Sequence, residues 1–213
     1  MSQIAPSPAA AYPAELTGRL DEPLSRWLWL VKWFLAIPHL VVLAVLWLVF
    51  VLLTIFAFVA ILFTGRYPAQ FFAVNLGIMR WTWRVSFYAF SVIGTDRYPP
   101  FTLEDVADYP ARLIVAEPPE LSRGLVLVKW WLLAIPQYLI VASFTGANPG
   151  LRPLLAIYAA LALLFTGRYP QGIFDFILGL ERWTFRVMTY AALMHDVYPP
   201  FRLDLGGTSA GEG

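Results

Sequence analysis

The chain has 213 residues, 59% of them hydrophobic and 14% charged, with a formal net charge of +1 and no cysteine. Soluble domains carry roughly 45–50% apolar and about 25% charged residues, so this composition points to an integral membrane protein. Disulfides, thiolate metal sites and cysteine nucleophiles are excluded, and the near-zero charge gives no support for nucleic acid as a partner.

The opening stretch MSQIAPSPAAAYPA is rich in Pro and Ala, without a basic start or an apolar centre. Residues 1–11 are expected to form a flexible tail rather than a signal peptide. YPAELTGRLDEPLSR follows from Tyr12 and returns as YPARLIVAEPPELSR from Tyr109, an offset of 97. Lys32-Trp33 returns as Lys129-Trp130, and AIP recurs at Ala36 and Ala134. LFTGRYP at 62–68 is repeated letter for letter at 164–170, RWTWRV from Arg80 returns as RWTFRV from Arg182, and each copy closes on YPPF. This fixed order is a tandem duplication. Its units are residues 12–108 and 109–204, followed by a second flexible tail at 205–213.

Within each unit the elements follow from apolar patterning. No Asp, Glu, Lys or Arg interrupts residues 33–63, a run of 31, which reads as membrane-embedded. The offset between copies grows after AIP, and FTGANPGLRP in copy two holds the Gly, Pro and Asn of a turn. A helical hairpin is therefore expected in each copy, turning near residues 47–51 in the first. Its arms are short enough that a spanning hairpin and one dipping in from a single side both fit. The heptapeptide then ends the hairpin: Gly65 and Gly167 as left-handed helix stops, Pro68 and Pro170 opening the next helix. Arg66, Tyr67, Arg168 and Tyr169 are expected to contact lipid headgroups.

A third helix is predicted over 69–90, deep in the interface or packed on the hairpin. Gly77, Arg80 and Arg84 share one face, as do Asp175, Gly179, Arg182 and Arg186 in copy two. The sequence predicts that Asp175 neutralises Arg182 or Arg186. The sharper alternative is that Arg80, Arg84, Arg182, Arg186 and Asp175 hold a lipid headgroup or a partner's carboxylate. PFTLEDV, ARLIVAE and PFRLDL carry a weak strand alternation, consistent with a small cytoplasmic sheet. With this layout 14 of the 15 Lys and Arg lie on one side, Arg152 being the exception. The positive-inside rule makes that side cytoplasmic. The expectation is a multi-pass protein of the inner (plasma) membrane with both termini in the cytoplasm.

No hydrolase, zinc-protease or phosphate-loop motif occurs. His39 is replaced by Gln137 in copy two, which fits a shared hydrogen-bonding role and not a catalytic one, and His195 beside Asp196 also reads as structural. No catalytic residue, metal or cofactor is expected. The run VKWFLAIPH, LFTGRYP, RWTWRV and DRYPPF resembles the bacterial membrane-protein family described as domain of unknown function 4389, in both copies. Copy two departs at Gln137 and in its inserted turn. The resemblance implies a bacterial membrane protein and brings no established activity. The function expected is thus a small non-enzymatic accessory or scaffold subunit of a larger membrane assembly, with membrane lipids and other membrane-protein subunits as partners. A membrane-embedded enzyme acting on lipid is the alternative, and a transporter component a third.

Overall fold

A computed structural model describes residues 12–145 and 150–204. The tails expected at 1–11 and 205–213, and residues 146–149 of the expected copy-two turn, lie outside the described residues. The fold is mainly helical with one small sheet. Strand β1 (Ala14–Gly18) leads to α1 (Trp29–Leu35), α2 (Ile37–Thr64) and α3 (Ala69–Ala89). Copy two repeats the order with β2 (Ala111–Val115), α4 (Leu125–Val128), a π-helical turn (Lys129–Leu133), α5 (Ile135–Thr145), α6 (Leu151–Thr166) and α7 (Gln171–Ala191).

The hairpin expected in copy one is not formed. Residues 47–51 lie inside α2, a single helix of 28 residues. WLVFV contains no Gly, Pro or Asn, so nothing there competes with the i→i−4 ladder and the helix continues. In copy two, α5 and α6 occupy the path that α2 takes in copy one. Trp183 donates to Gln137 on α5 at 2.7 Å, as its counterpart Trp81 donates to His39 on α2 at 3.0 Å. Further along, Arg152 on α6 reaches Glu181 at 2.9 Å. α5 and α6 therefore follow one path along α7 rather than turning back on each other.

The expected sheet is present with different members. ARLIV forms β2 and pairs antiparallel with AELTG, Leu16 opposite Leu113, whereas PFTLEDV and the described residues of PFRLDL, 200–204, form no strand. Each strand packs on the helix of the other copy. Arg80 on α3 donates through Nε to the Leu113 carbonyl at 2.9 Å, and Arg182 on α7 donates to the Leu16 carbonyl at 3.3 Å. These matching bonds relate the copies by a pseudo-twofold axis through the Leu16–Leu113 pair. The same axis passes where Trp83 meets its counterpart Phe185, their rings 5.7 Å apart. Beyond that crossing, Phe87 near the end of α3 lies 6.2 Å from Phe174 near the start of α7. The Tyr169 hydroxyl donates to the Val92 carbonyl at 2.5 Å. α3 and α7 thus run antiparallel.

The order of layers follows from the faces of α3. Trp81, Val85, Tyr88 and Ala89 pack with Leu43 of α2, and Asn75 bonds Thr54 of α2 at 3.1 Å. On the opposite face, at about 100° per residue, Arg80 and Trp83 bond the strands, and on the flank between the two faces Gly77 admits Leu103. The molecule is a slab: sheet, then α3 beside α7, then α2 beside α5 and α6. One core, contributed by both copies, fills it.

Candidate functional site

The outer face of the helical layer is apolar and open. On α2, Val41, Val45, Leu48, Ile55, Phe56 and Phe63 are exposed, Phe63 at 72%. At about 100° per residue they share one arc, opposite the buried stripe of His39, Leu43, Phe50, Ala57 and Ile61. Leu154, Ile157, Tyr158, Leu161 and Phe165 make the matching face on α6, Phe165 at 79% exposure. Two stretches, Ile37–Thr64 and Leu125–Thr145, are long and apolar enough to cross a membrane, and both are mostly uncovered by protein. Soluble monomers rarely expose a continuous apolar surface of this length.

Arginines stand at both ends of this layer. The heptapeptide ends α2 and α6 as the sequence predicts: Gly65 and Gly167 have φ of 73° and 72°, and their N–H groups bond Ile61 and Leu163 at 2.8 Å. Arg66 and Arg168 are exposed beyond these caps, and neither side chain has a hydrogen-bond or ion-pair partner among the described residues. A second guanidinium lies over each glycine from the other copy. A Cβ on Gly65 would come 3.4 Å from Arg123 Nε, and one on Gly167 would come 2.7 Å from Arg26 Cζ. Each end thus carries two exposed arginines, one from each repeat.

Tyr67 and Tyr169 are placed differently from the expectation. Both are buried at 5% exposure. The Tyr67 hydroxyl accepts from Asn75 at 2.9 Å and Tyr169 bonds Val92, so these rings order the turn from inside the core. Burial raises the pKa of both phenols. Arg84 and Arg186 are also interior. Arg84 donates to the carbonyls of Glu104, at 2.8 Å, and Thr102; Arg186 donates to those of Arg202, at 2.8 Å, and Asp204. Burial lowers the pKa of all four helix arginines, which serve as clasps on backbone carbonyls.

The ion pair expected of Asp175 is absent. Asp175 is exposed and accepts from Gln171 at 3.0 Å, one turn away on its own helix. The buried acid is instead Glu181, at 1% exposure, paired with Arg152. Arg152, expected alone on the far side, is thereby tied to α7. Gly77 and Gly179 admit not a helix but a returning loop: their Cβ atoms would stand 2.7 Å from Leu103 and 2.9 Å from Leu203.

Sequence reasoning missed one constellation that does repeat. Lys32 donates to the Thr95 carbonyl and pairs with Asp96, both at 2.7 Å, with its ammonium 5.2 Å from the Tyr88 ring. Lys129 does the same with the His195 carbonyl at 3.0 Å, Asp196 at 2.8 Å and Tyr190 at 5.6 Å. Asp96 and Asp196 also accept from the backbone of Ser25 and Ser122, each at 2.6 Å. The signal was available: Lys-Trp and Asp each recur in step with the duplication. Both lysines are buried, so the clusters lock the loop after α3 or α7 to the first helix of the same copy.

A cleft of about 380 Å³ opens between α2 and copy two, lined by Thr54, Ile55, Phe58, Trp130, Met188 and Leu193 among others. At the pseudo-equivalent place Trp29 packs on Ile93, Ala156 and Ala160. The counterpart of Trp29 is Val126. The cleft's two hydroxyls are already engaged, Thr54 with Phe50 and Asn75 and Tyr138 with the Trp130 carbonyl. Among the described residues no group of three His, Asp or Glu could hold a metal ion.

A family model described as "Domain of unknown function (DUF4389)" matches residues 26–102 and again 132–202. No curated protein and no solved structure matches the chain.

Proposed function

The chain belongs to the domain of unknown function (DUF4389) family, and from that premise we propose that it is a membrane-embedded, non-enzymatic scaffold or accessory subunit. It holds lipid through its apolar helical layer and offers its polar sheet face to other proteins. One observation carries the reading: the exposed apolar face of α2 and α6 is bordered at both ends by exposed guanidiniums that have no hydrogen-bond or ion-pair partner among the described residues. Apolar side chains suit acyl chains, and arginine on an apolar stem suits the phosphate layer just above them. Five charged side chains on the helices are engaged inside the fold. Lys32, Lys129, Glu181, Arg84 and Arg186 are all buried and bonded to protein.

The apolar cleft favours a second reading, an enzyme acting on lipid, but its lining holds no His, Asp, Glu or Lys to act as a base, and its two hydroxyls, on Thr54 and Tyr138, are bonded within the protein. Flotation of the purified protein with vesicles tests the main reading. Binding is expected to zwitterionic vesicles, stronger with anionic lipid, with the anionic increment lost in Arg66→Gln/Arg168→Gln. A protein that stays soluble and monomeric without vesicles or detergent would exclude it. For the assembly half of the proposal, native extraction in mild detergent should bring partner chains. A lone monomer in both detergent and nanodiscs would count against them.

A further inference from the structure

The duplication specifies how the slab meets the bilayer. α2 runs antiparallel to α3, since His39 near its start meets Trp81 and Thr54 far along it meets Asn75. α5 and α6 run the same way against α7, and α3 and α7 are themselves antiparallel. α2 and the α5–α6 path therefore point in opposite directions, with the pseudo-twofold axis perpendicular to both. That axis passes through the sheet at Leu16 and Leu113.

Two placements in lipid are compatible with this symmetry. If α2 crossed the bilayer, the axis would lie in the membrane plane and the sheet would stand at mid-depth. Glu15 and Arg112 point outward from that sheet, away from α3 and α7, and Arg112 pairs with Asp105 on its outer side. Charges exposed there would face hydrocarbon, where they are costly. α2 would also be about 42 Å long at 1.5 Å per residue, against a hydrocarbon core of about 30 Å. If the axis lies along the membrane normal, both difficulties vanish. The exposed arc of α2 faces away from the sheet, so every apolar side chain named above enters lipid while Glu15, Arg112 and Asp105 stay in water. The paired arginines at the two ends then stand at one depth, level with the phosphates.

Resting on the membrane reading above, we infer that this protein is monotopic: α2 and the α5–α6 path lie in the plane of a single leaflet, and neither crosses the bilayer. The partner of the apolar layer is one lipid monolayer, sunk to about the thickness of a helix. Both described ends of the chain, at Tyr12 and Asp204, emerge on the water side.

The chain has no cysteine, so single nitroxide labels can report depth on the full-length protein in lipid nanodiscs. Val41→Cys, Leu48→Cys, Ile55→Cys and Phe63→Cys sample the exposed arc of α2, and Glu15→Cys samples the sheet. Accessibility to oxygen and to a water-soluble nickel chelate gives the depth of each. The expected result is one common depth along α2 and full nickel accessibility at Glu15. An arched profile, with Leu48 deeper than Phe63 by ~15 Å and Glu15 shielded from nickel, would overturn the in-plane placement while leaving membrane embedding intact. Nickel accessibility at all five positions, with no lipid contact, would remove the premise and the inference together.

Discussion

Gly65 and Gly167 occupy the same letter of the same heptapeptide and meet the same backbone demand. Both have φ near +73°, where an alanine costs roughly 1–2 kcal/mol. The guanidiniums above them, of Arg123 and Arg26, are exposed ends of flexible side chains and can swing aside. Gly65→Ala and Gly167→Ala are therefore expected to lower the unfolding midpoint in detergent by similar amounts. Arg26→Ala should not rescue Gly167→Ala. The buried pair Glu181–Arg152 offers a sharper case because copy one supplies its own control: the counterparts are Met79 and Phe50. Arg152→Phe alone leaves a carboxylate buried without its cation and should cost about 3–5 kcal/mol. The double variant Arg152→Phe/Glu181→Met restores the copy-one arrangement and should recover most of that loss. Additive single effects would show that the two residues do not act as a pair. The two buried histidines, His39 and His195, each set a pH dependence, both held at about 4 chiefly by burial. Burial, and next the charge of Lys129, hold His195 down at about 4, from its ordinary 6.5. The unfolded chain then binds a proton below about 6.5 and the folded chain only below about 4. Stability should fall as pH drops through that window, by up to about 3 kcal/mol from His195 at ~1.4 kcal/mol per unit. His195→Thr, which copies Thr95, should remove the His195 share of that slope and leave the His39 share, which His39→Gln, copying Gln137, should remove in turn. An unchanged slope would mean that another group titrates there.

Among the elements, those with explicit chemistry at their ends were the legible ones. Gly65, Gly167, Pro68 and Pro170 punctuate the chain, and the helix predicted over 69–90 is observed as Ala69–Ala89. The hairpin of copy one was inferred from an insertion that only copy two possesses, and α2 runs on because its own residues contain no stop. Partners in space were less legible than elements. Asp175 shares a helical face with Arg182 and Arg186, yet those arginines turn to carbonyls of Leu16, Arg202 and Asp204, contributed by segments distant in sequence. Helical spacing identifies residues that share a face, not what arrives against it. The repeated lysines and aspartates did carry a signal, because a charge kept in register on an apolar background implies a partner kept in register too. Among the clasps, Arg80 holds β2 through a single bond to Leu113. Arg80→Leu is expected to cost about 1–3 kcal/mol for the unsatisfied carbonyl it leaves. It should also raise hydrogen exchange in Ala14–Gly18 and Ala111–Val115 together, since the two strands pair only with each other.

At the scale of the molecule, the sequence units and the packing units do not coincide. Residues 12–108 contain β1, but β1 lies on α7; residues 109–204 contain β2, but β2 lies on α3. The Gly65 carbonyl accepts from Leu121, and Val92 accepts from Tyr169, so the turns also close across the duplication. Each unit alone would leave its third helix without the strand that covers it, exposing Trp83 or Phe185 and the arginine that clasps the strand. A chain of residues 1–108 by itself is therefore expected either to misfold or to pair with a second copy of itself, rebuilding the twofold with two identical strands. Expressed together as separate chains, 1–108 and 109–213 should assemble as a heterodimer, because β1 and β2 bring their full antiparallel register from opposite chains. The heterodimer should be favoured over the 1–108 homodimer, since Trp29 packs on Ala156 and Ala160 of copy two, where a second copy of 1–108 would present the larger Thr54 and Phe58. Size-exclusion chromatography with light scattering, in a detergent that keeps the full chain monomeric, measures the outcome. A well-folded monomeric 1–108, protected from proteolysis as fully as the intact protein, would mean that the exchanged strands contribute little to the core.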